Sequence, residues 1–448
     1  MVDMQNLAWF RARRPPPNDA VASIRQSLAS ASVWRLRNHG VSPAAVENLK
    51  AAGRAFFDQP ASRKMAYTVG ENMDRSRGWE LYPQHWRYHR ATLSSIEQRS
   101  AIAADCHQEP SAREGILCER FVCGPPSICS DAAARPSHPF YDSPFARVFY
   151  ERNTWPEDDH PALRPSMEHV YSLLEPVAAA SLQCLAAACD LPFNSFDHLV
   201  TSESHDHPDA PLRHHSRLQL NNYPSQLRRN SRKQIPPIRA SRHLDTALLS
   251  VLCREPSMDG RLCSGGASMA GASGLDPGRS GALEVQLHSC ADHEDDGSWE
   301  VVPTAEGELT AFVGSLASVL TGFAVRPTTH RVSNPAPSFA AASRRMSIGY
   351  VLKPDYTAPA VAMATAQSMG PTELERNAVP CVGQVGRIGW QYHAMQSTGI
   401  SRAEAVAAFK PWKNATLLRL RTLQQPTTIA MARRHAHAGR VTRDIETI

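Results

Sequence analysis

The sequence predicts an α+β protein with an antiparallel β core, sandwich or barrel, and helices before and after it. Three observations carry that expectation. Short apolar runs rich in branched residues recur between 217 and 353, helical spacing flanks them, and the composition is that of a packed chain, 42% hydrophobic and 20% charged over 448 residues.

Taken in order, Asp19 is placed to cap a helix whose apolar positions Val21, Ile24 and Leu28 recur at three and four residues. The residues from Val33 to Leu36 read as a short strand running into Asn38-His39-Gly40-Val41. Ser42, Pro43 and Glu47 then start a helix that carries through Phe57. Residues 100–160 are rich in Pro, Ser and Cys and lack a period, so they read as irregular and as a candidate pocket rim. Met167, Val170, Leu173, Leu174 and Val177 predict a long helix over 165–189, with Pro176 as a kink point. Strands are expected at 218–223, 248–252, 283–287, 299–302, 309–313, 317–320 and 346–352. The Gly/Ser/Ala-rich segment 254–281 reads as an insertion between two of them. After 355 helical signals return, with Ser401-x-x-Glu404 as a capping box, and the chain ends in a tail. The organisation expected is an N-terminal helical region over 1–200, a β core over 201–360 and a C-terminal helical extension over 361–448.

Composition also excludes some partners. The balance of 48 Lys+Arg against 43 Asp+Glu leaves +5 without a basic stripe, and the densest basic stretch, 228–233, reads as a solvated loop, so no nucleic acid is expected. The weakly polar stretch 176–189 is short and broken by Ser181 and Gln183, and the N-terminus lacks a signal-type apolar region. A cytoplasmic protein without a membrane partner is expected, working as a monomer. The ten cysteines are scattered without a Cys-x-x-Cys pair and read as reduced thiols; Cys118, Cys123 and Cys129 with His138 lack the regular spacing of a zinc site.

The chemistry concentrates on a few residues. His243-Leu244-Asp245 precedes the apolar run at 248–252, and alternation along a strand would turn residues two apart to the same side, so that an imidazole and a carboxylate converge on one metal ion. Chance supplies about one His-x-Asp in a chain of this composition. The sequence has three, but His207-Pro208-Asp209 and His293-Glu294-Asp295 sit in polar, turn-like segments. A third ligand from another strand completes two histidines and one carboxylate, the set that leaves open positions on non-haem Fe(II) for oxygen chemistry, and His330 fits. Beyond it, Arg345 and Ser347 are two apart on one strand face, able to hold a carboxylate, while Arg344 points the other way.

These residues resemble the iron(II)/2-oxoglutarate-dependent dioxygenases of the isopenicillin N synthase type, in which His-x-Asp is followed by a distant His and by Arg-x-Ser. Asn221-Asn222-Tyr223-Pro224 is similar to the family's Asn-Tyr-Tyr-Pro strand. Asn38-His39-Gly40-Val41, Phe56-Phe57-Asp58-Gln59-Pro60, Gly281 to Val285, Trp299 to Pro303 and Thr321-Gly322 fall in the family's order. The spacings from His243 to His330 and from His330 to Arg345 are longer than usual, and Asn222 replaces a tyrosine.

The resemblance implies a double-stranded β-helix (jelly-roll) core flanked by N-terminal and C-terminal helices. It implies Fe(II) held by His243, Asp245 and His330. It further implies 2-oxoglutarate held by Arg345, Ser347 and Tyr223, and O2 as co-oxidant. The reaction expected is oxidation of a small organic molecule by hydroxylation, desaturation or cyclisation, with release of succinate and CO2. Two alternatives stay open: an isopenicillin N synthase-like oxidase that does not consume 2-oxoglutarate, and a non-catalytic jelly-roll protein that binds metal or ligand. The substrate is not legible; it would be chosen by 100–160, 254–281 and the C-terminal helices, with Trp79, Tyr82 and Trp390 as candidates for core or pocket wall.

Overall fold

The computed structural model describes residues 1–67, 77–83, 116–126, 152–200, 214–224, 238–254, 282–288, 298–321, 324–333 and 344–355. Most of the 100–160 segment, the insertion after residue 254, the C-terminal extension with Trp390, and the His207 and His293 motifs lie outside them.

In chain order the described elements are β1 (Val2–Asp3), α1 (Ala8–Arg11), α2 (Asn18–Leu28), β2 (Val33–Arg37), α3 (Pro43–Phe57), α4 (Ala61–Lys64), β3 (Gly78–Pro83) and β4 (Ile116–Cys123). Two further helices follow, α5 (Leu163–Ala188) and α6 (Asp197–Val200). The remaining strands are β5 (Arg217–Tyr223), β6 (Ile238–His243), β7 (Leu249–Arg254), β8 (Leu283–Gln286), β9 (Trp299–Val301), β10 (Leu309–Val313), β11 (His330–Ser333) and β12 (Arg345–Leu352), with α7 (Ser315–Leu320) between β10 and β11. The fold is α+β. One sheet has eight strands in the order β1-β2-β10-β7-β12-β5-β4-β3, and a second has four in the order β6-β11-β8-β9.

Strand alternation sorts the large sheet into two unlike faces. Leu218 and Leu220 of β5, Met346, Ile348 and Tyr350 of β12, Leu249 and Val251 of β7 and Ala311 of β10 all join one buried apolar cluster with α2, α3 and α5. The residues between them turn to the other side, toward the small sheet, whose Leu283, Val285 and Val332 form a separate apolar cluster. The site lies between these layers.

Local sequence explains the covering helices. Ser42 caps α3 by accepting from the Ala45 amide (3.4 Å), and Pro43 occupies the first turn, where its missing N–H costs nothing. Gly53 lets α3 lie against the sheet, since a Cβ there would stand 2.4 Å from Leu220 Cδ2. α5 runs unbroken through Pro176, packed on α2, α3, β7 and β12. It is long and apolar enough to cross a membrane by length and composition, yet 67% of its most apolar window is buried inside the protein.

Several sequence expectations need correction. The run 317–320 is helical: the Ser315 and Leu316 amides donate to the Asp245 and Ala247 carbonyls, and the Thr321 amide donates to Ala317 O. A four-residue apolar run has no period that separates helix from strand. Ile116–Cys123, within the stretch read as irregular, is β4; its Glu119 disguises a buried strand because its partners are remote, Lys64 Nζ at 2.6 Å, Trp79 Nε1 at 2.9 Å and Asn222 Nδ2 at 2.9 Å. That places Trp79 in the core. Asp19 lies in the first turn of α2 instead of capping it, because Pro17 holds the cap position.

Candidate functional site

His243 ends β6 and His330 begins β11, and the two are direct cross-strand partners. Their rings lie 4.2 Å apart between centroids. Asp245 is not on a strand, as the alternation argument expected; it sits in the loop between β6 and β7. That loop is pinned by its backbone. Asp245 O accepts from the Ser315 amide (2.9 Å) and hydroxyl (3.2 Å), and Gly314, whose Cβ would fall 2.2 Å from Ala247 O, allows the close approach. The Ser250 hydroxyl donates to Asp245 Oδ2. Asp245 Oδ1 then stands 3.8 Å from His243 Nε2 and 4.0 Å from His330 Nε2. Those separations are too long for hydrogen bonds and short enough for one ion to bridge. All three ligand atoms lie within 4.8 Å of one another, the one such group among the described residues.

The protonation states suit a cation. Burial and the adjacent His243 pull the His330 imidazole down to about 4, so it is neutral at physiological pH. Its Nδ1 faces Thr328 O at 3.1 Å, which fixes the N–H there and leaves the lone pair on Nε2. Thr328 is itself held, its hydroxyl donating to Ser32 O (2.7 Å). Burial opposes charge on Asp245, but the two imidazoles and the Ser250 hydroxyl outweigh it and hold the carboxyl below its usual range. A neutral His330 and an anionic Asp245 are states that metal ligation requires.

The same cavity, about 180 Å³, is lined by all six residues singled out from the sequence: Tyr223, His243, Asp245, His330, Arg345 and Ser347. Register explains the second trio: Tyr223 pairs with Arg345 and Asn221 with Ser347 across β5 and β12. Arg345 Cζ lies 5.5 Å from the Tyr223 ring centroid, and Asn221 Nδ2 donates to the Ser347 hydroxyl at 3.3 Å. Burial raises the Tyr223 phenol, so it stays a neutral donor. Arg344 turns to the opposite face, bonded to Asn222 Oδ1 (3.2 Å) and Asp58 Oδ1 (2.6 Å). Asn222, the departure from the tyrosine motif, thus serves the helix side and leaves the cavity untouched.

Sequence reasoning missed Ser250, Ser315 and Thr328, which orient the trio, and Phe312, whose ring lies 4.5 Å from His330. Only Ser250 carried a signal, being on the polar side of an alternating strand.

Comparison with known proteins adds to this geometry. Residues 1–109 match the family model described as non-haem dioxygenase in morphine synthesis N-terminal. The chain is 24% identical over 368 residues to validamycin A dioxygenase of Streptomyces hygroscopicus subsp. limoneus, covering 81% of this chain and 79% of that protein. It is 23% identical over 341 residues to a 2-oxoglutarate-dependent dioxygenase of Didymella fabae, covering 74% and 80%. Among solved structures, a 2OG-Fe(II) oxygenase family protein from Caulobacter crescentus superposes with a TM-score of 0.52 at 18% identity, over 83% of this chain and 91% of that one. These likenesses run to named dioxygenases over 74–81% of the chain, and the solved structure shares its fold.

The N-terminal motifs, within the residues matched by the family model, are structural features of the fold. His39 anchors the Asn-His-Gly-Val turn by donating from Nε2 to Gly307 O (2.8 Å) while its Nδ1 accepts from the Val41 amide (3.1 Å). Gly40 takes the positive φ of +77° that the turn demands. Phe56 packs edge-on against Phe57, and also against Phe121 of β4. These residues brace the large sheet without touching the cavity.

Proposed function

We propose that this protein is a non-haem dioxygenase that binds Fe(II) through His243, Asp245 and His330 and consumes 2-oxoglutarate held by Arg345, Ser347 and Tyr223. Its reaction is the oxidation of a small organic molecule, with release of succinate and CO2. The observation that carries the reading is the convergence, in one cavity, of two imidazoles and a carboxylate with an arginine–serine pair on the facing sheet. The facing eight- and four-stranded sheets are, on this reading, a double-stranded β-helix core.

Iron bound at such a site supplies O2 activation coupled to oxidative decarboxylation of the 2-oxo acid, and with it the power to oxidise an unactivated substrate carbon. The residues do the rest. Asp245 contributes one negative charge, so a divalent cation keeps a net positive charge that favours an anionic chelator. Arg345 offers its fork to the far carboxylate, and Ser347 adds a hydroxyl donor. Thr328 and Ser250 keep His330 and Asp245 in their ligating orientations. Leu252, Leu283, Phe312 and Val332 give the cavity apolar walls that exclude water from the reacting centre.

The test is succinate formation from 2-oxoglutarate by the purified protein with Fe(II) and O2, first alone and then with a panel of small molecules. Iron-dependent succinate release supports the reading. Binding of iron and 2-oxoglutarate with no succinate under any condition would make the chain a binding protein.

A further inference from the structure

The cavity holds a second buried cation that the assigned residues leave unused. Arg254 ends β7 directly across from Ser347, and Arg345 lies two residues before Ser347 on the same strand, so the three share one face. Arg254 lines the cavity and is 8% exposed. Its Nη2 is taken by Val302 O (3.1 Å), Thr310 Oγ1 (3.1 Å) and Pro303 O (3.5 Å), whereas its Nε is buried with no hydrogen-bond partner. A buried charged donor left in that state is destabilising. Burial and the like charge of Arg345 both oppose its protonation and pull its pKa down to about 9. The nearby carboxylate of Glu308 is engaged by Arg35 Nη1 (3.1 Å) and the Ala305 amide (3.2 Å). Arg254 and Arg345 thus set two guanidinium groups around Ser347 on one cavity wall.

We propose that Arg254 is a second guanidinium for the far carboxylate of the 2-oxo acid, so that the site selects a dicarboxylic cosubstrate with a pair of arginines flanking Ser347. This rests on the cosubstrate reading above. It assigns to Arg254 a role in recognising the cosubstrate, not the oxidised substrate.

The experiment is isothermal titration of the full-length protein loaded with Mn(II), which leaves the acids unreacted, using two probes: 2-oxoglutarate, and 2-oxopentanoate, which keeps the chelating end and lacks the far carboxylate. In R254Q the Kd for 2-oxoglutarate rises about tenfold, the Kd for 2-oxopentanoate is unchanged, and R254K recovers part of the loss. Unchanged 2-oxoglutarate affinity in R254Q overturns the proposal. So does equal loss of both acids in R254Q and R254K, which would give Arg254 a purely structural role in bracing β7. A wild-type protein that binds Mn(II) but neither acid overturns the cosubstrate reading and this inference with it, an outcome distinct from a failure confined to R254Q.

Discussion

The two faces of the eight-stranded sheet use the same strands for opposite purposes. On β5 and β12, Leu220 and Ile348 are cross-strand partners buried under α3 and α5, while Asn221 and Ser347, one residue along, are partners facing the cavity. Adjacent residues therefore differ in what their loss should do. The helix-side face carries the folding free energy and is blind to chemistry; the cavity-side face carries polar groups whose burial opposes folding and which are kept for what they bind. Substitutions on the two faces should separate stability from function, and that separation can be broken.

The largest effect is expected on the cavity side. Asp245→Ala removes the carboxylate from the trio and should abolish stoichiometric iron binding and lower turnover at least about 1,000-fold, roughly 4 kcal/mol in transition-state terms. The thermal midpoint without metal should change little, because the carboxylate's partners there are a serine hydroxyl and two imidazoles. Metal analysis together with a thermal melt checks both halves. A variant that keeps iron while losing stability would dissolve the contrast between the faces.

On the other side, Leu220→Ala should cost about 2–5 kcal/mol in denaturant unfolding, from lost burial plus the cavity left behind, with iron affinity intact in the folded fraction. A sharper version pairs it with Gly53→Ala. The new methyl would meet Leu220 Cδ2 at 2.4 Å and Met346 Cε at 2.9 Å, an overpacking of about 1–3 kcal/mol. Removing the Leu220 side chain makes room, so the double variant should be more stable than the sum of the two single losses implies. Additivity would show that α3 shifts freely over the sheet.

This contrast also explains what the sequence revealed. The runs that became β5, β7, β10 and β12 were readable because one face of each is uniformly apolar, and the candidate metal and carboxylate residues were readable because His-x-Asp, a distant His and Arg-x-Ser, each common alone, occur here together and in order beside those runs. β6 was not readable: Ile-Arg-Ala-Ser-Arg-His has no apolar period, since it belongs to the small sheet and carries a fully buried Arg239 over the Tyr223 ring and His243 into the cavity. β4 was hidden by a charge whose partner, Lys64, lies 55 residues away. Asp245 reached its place through a loop fixed by Ser315, a contact across 70 residues that no local pattern encodes.

Acid should expose a third class of residue, the buried histidines remote from the cavity. Burial lowers the pKa of His39 and His215, and with Arg326 it takes His288 down to about 4. Below its ordinary value of 6.5 the unfolded chain takes up protons that the folded chain refuses, so stability is full above that pH and declines as the pH falls toward 4. His288 alone should contribute a slope of roughly 1.4 kcal/mol per pH unit across that window. His288→Gln should flatten the decline in unfolding free energy measured between pH 7 and 4; an unchanged slope would mean that the acid sensitivity resides elsewhere.

The smallest expected effect tests the contrast within a single strand. Ser250 lies on β7 between Leu249 and Val251, both buried in the helix-side core, yet its hydroxyl reaches Asp245 on the other side. Ser250→Ala removes one donor that lowers the carboxylate's pKa and fixes its orientation. Loss of such an orienting bond typically weakens metal affinity about 10- to 100-fold, which corresponds to roughly 1.4–2.7 kcal/mol. The backbone ladder to β10 and β12 is untouched, so metal-free stability should stay within about 1 kcal/mol of wild type. A competition titration with a chelator of known affinity measures the first quantity and urea unfolding the second. If stability fell while metal affinity held, Ser250 would belong with its neighbours on the structural face, and the alternation of roles along β7 would stop one residue short of the site.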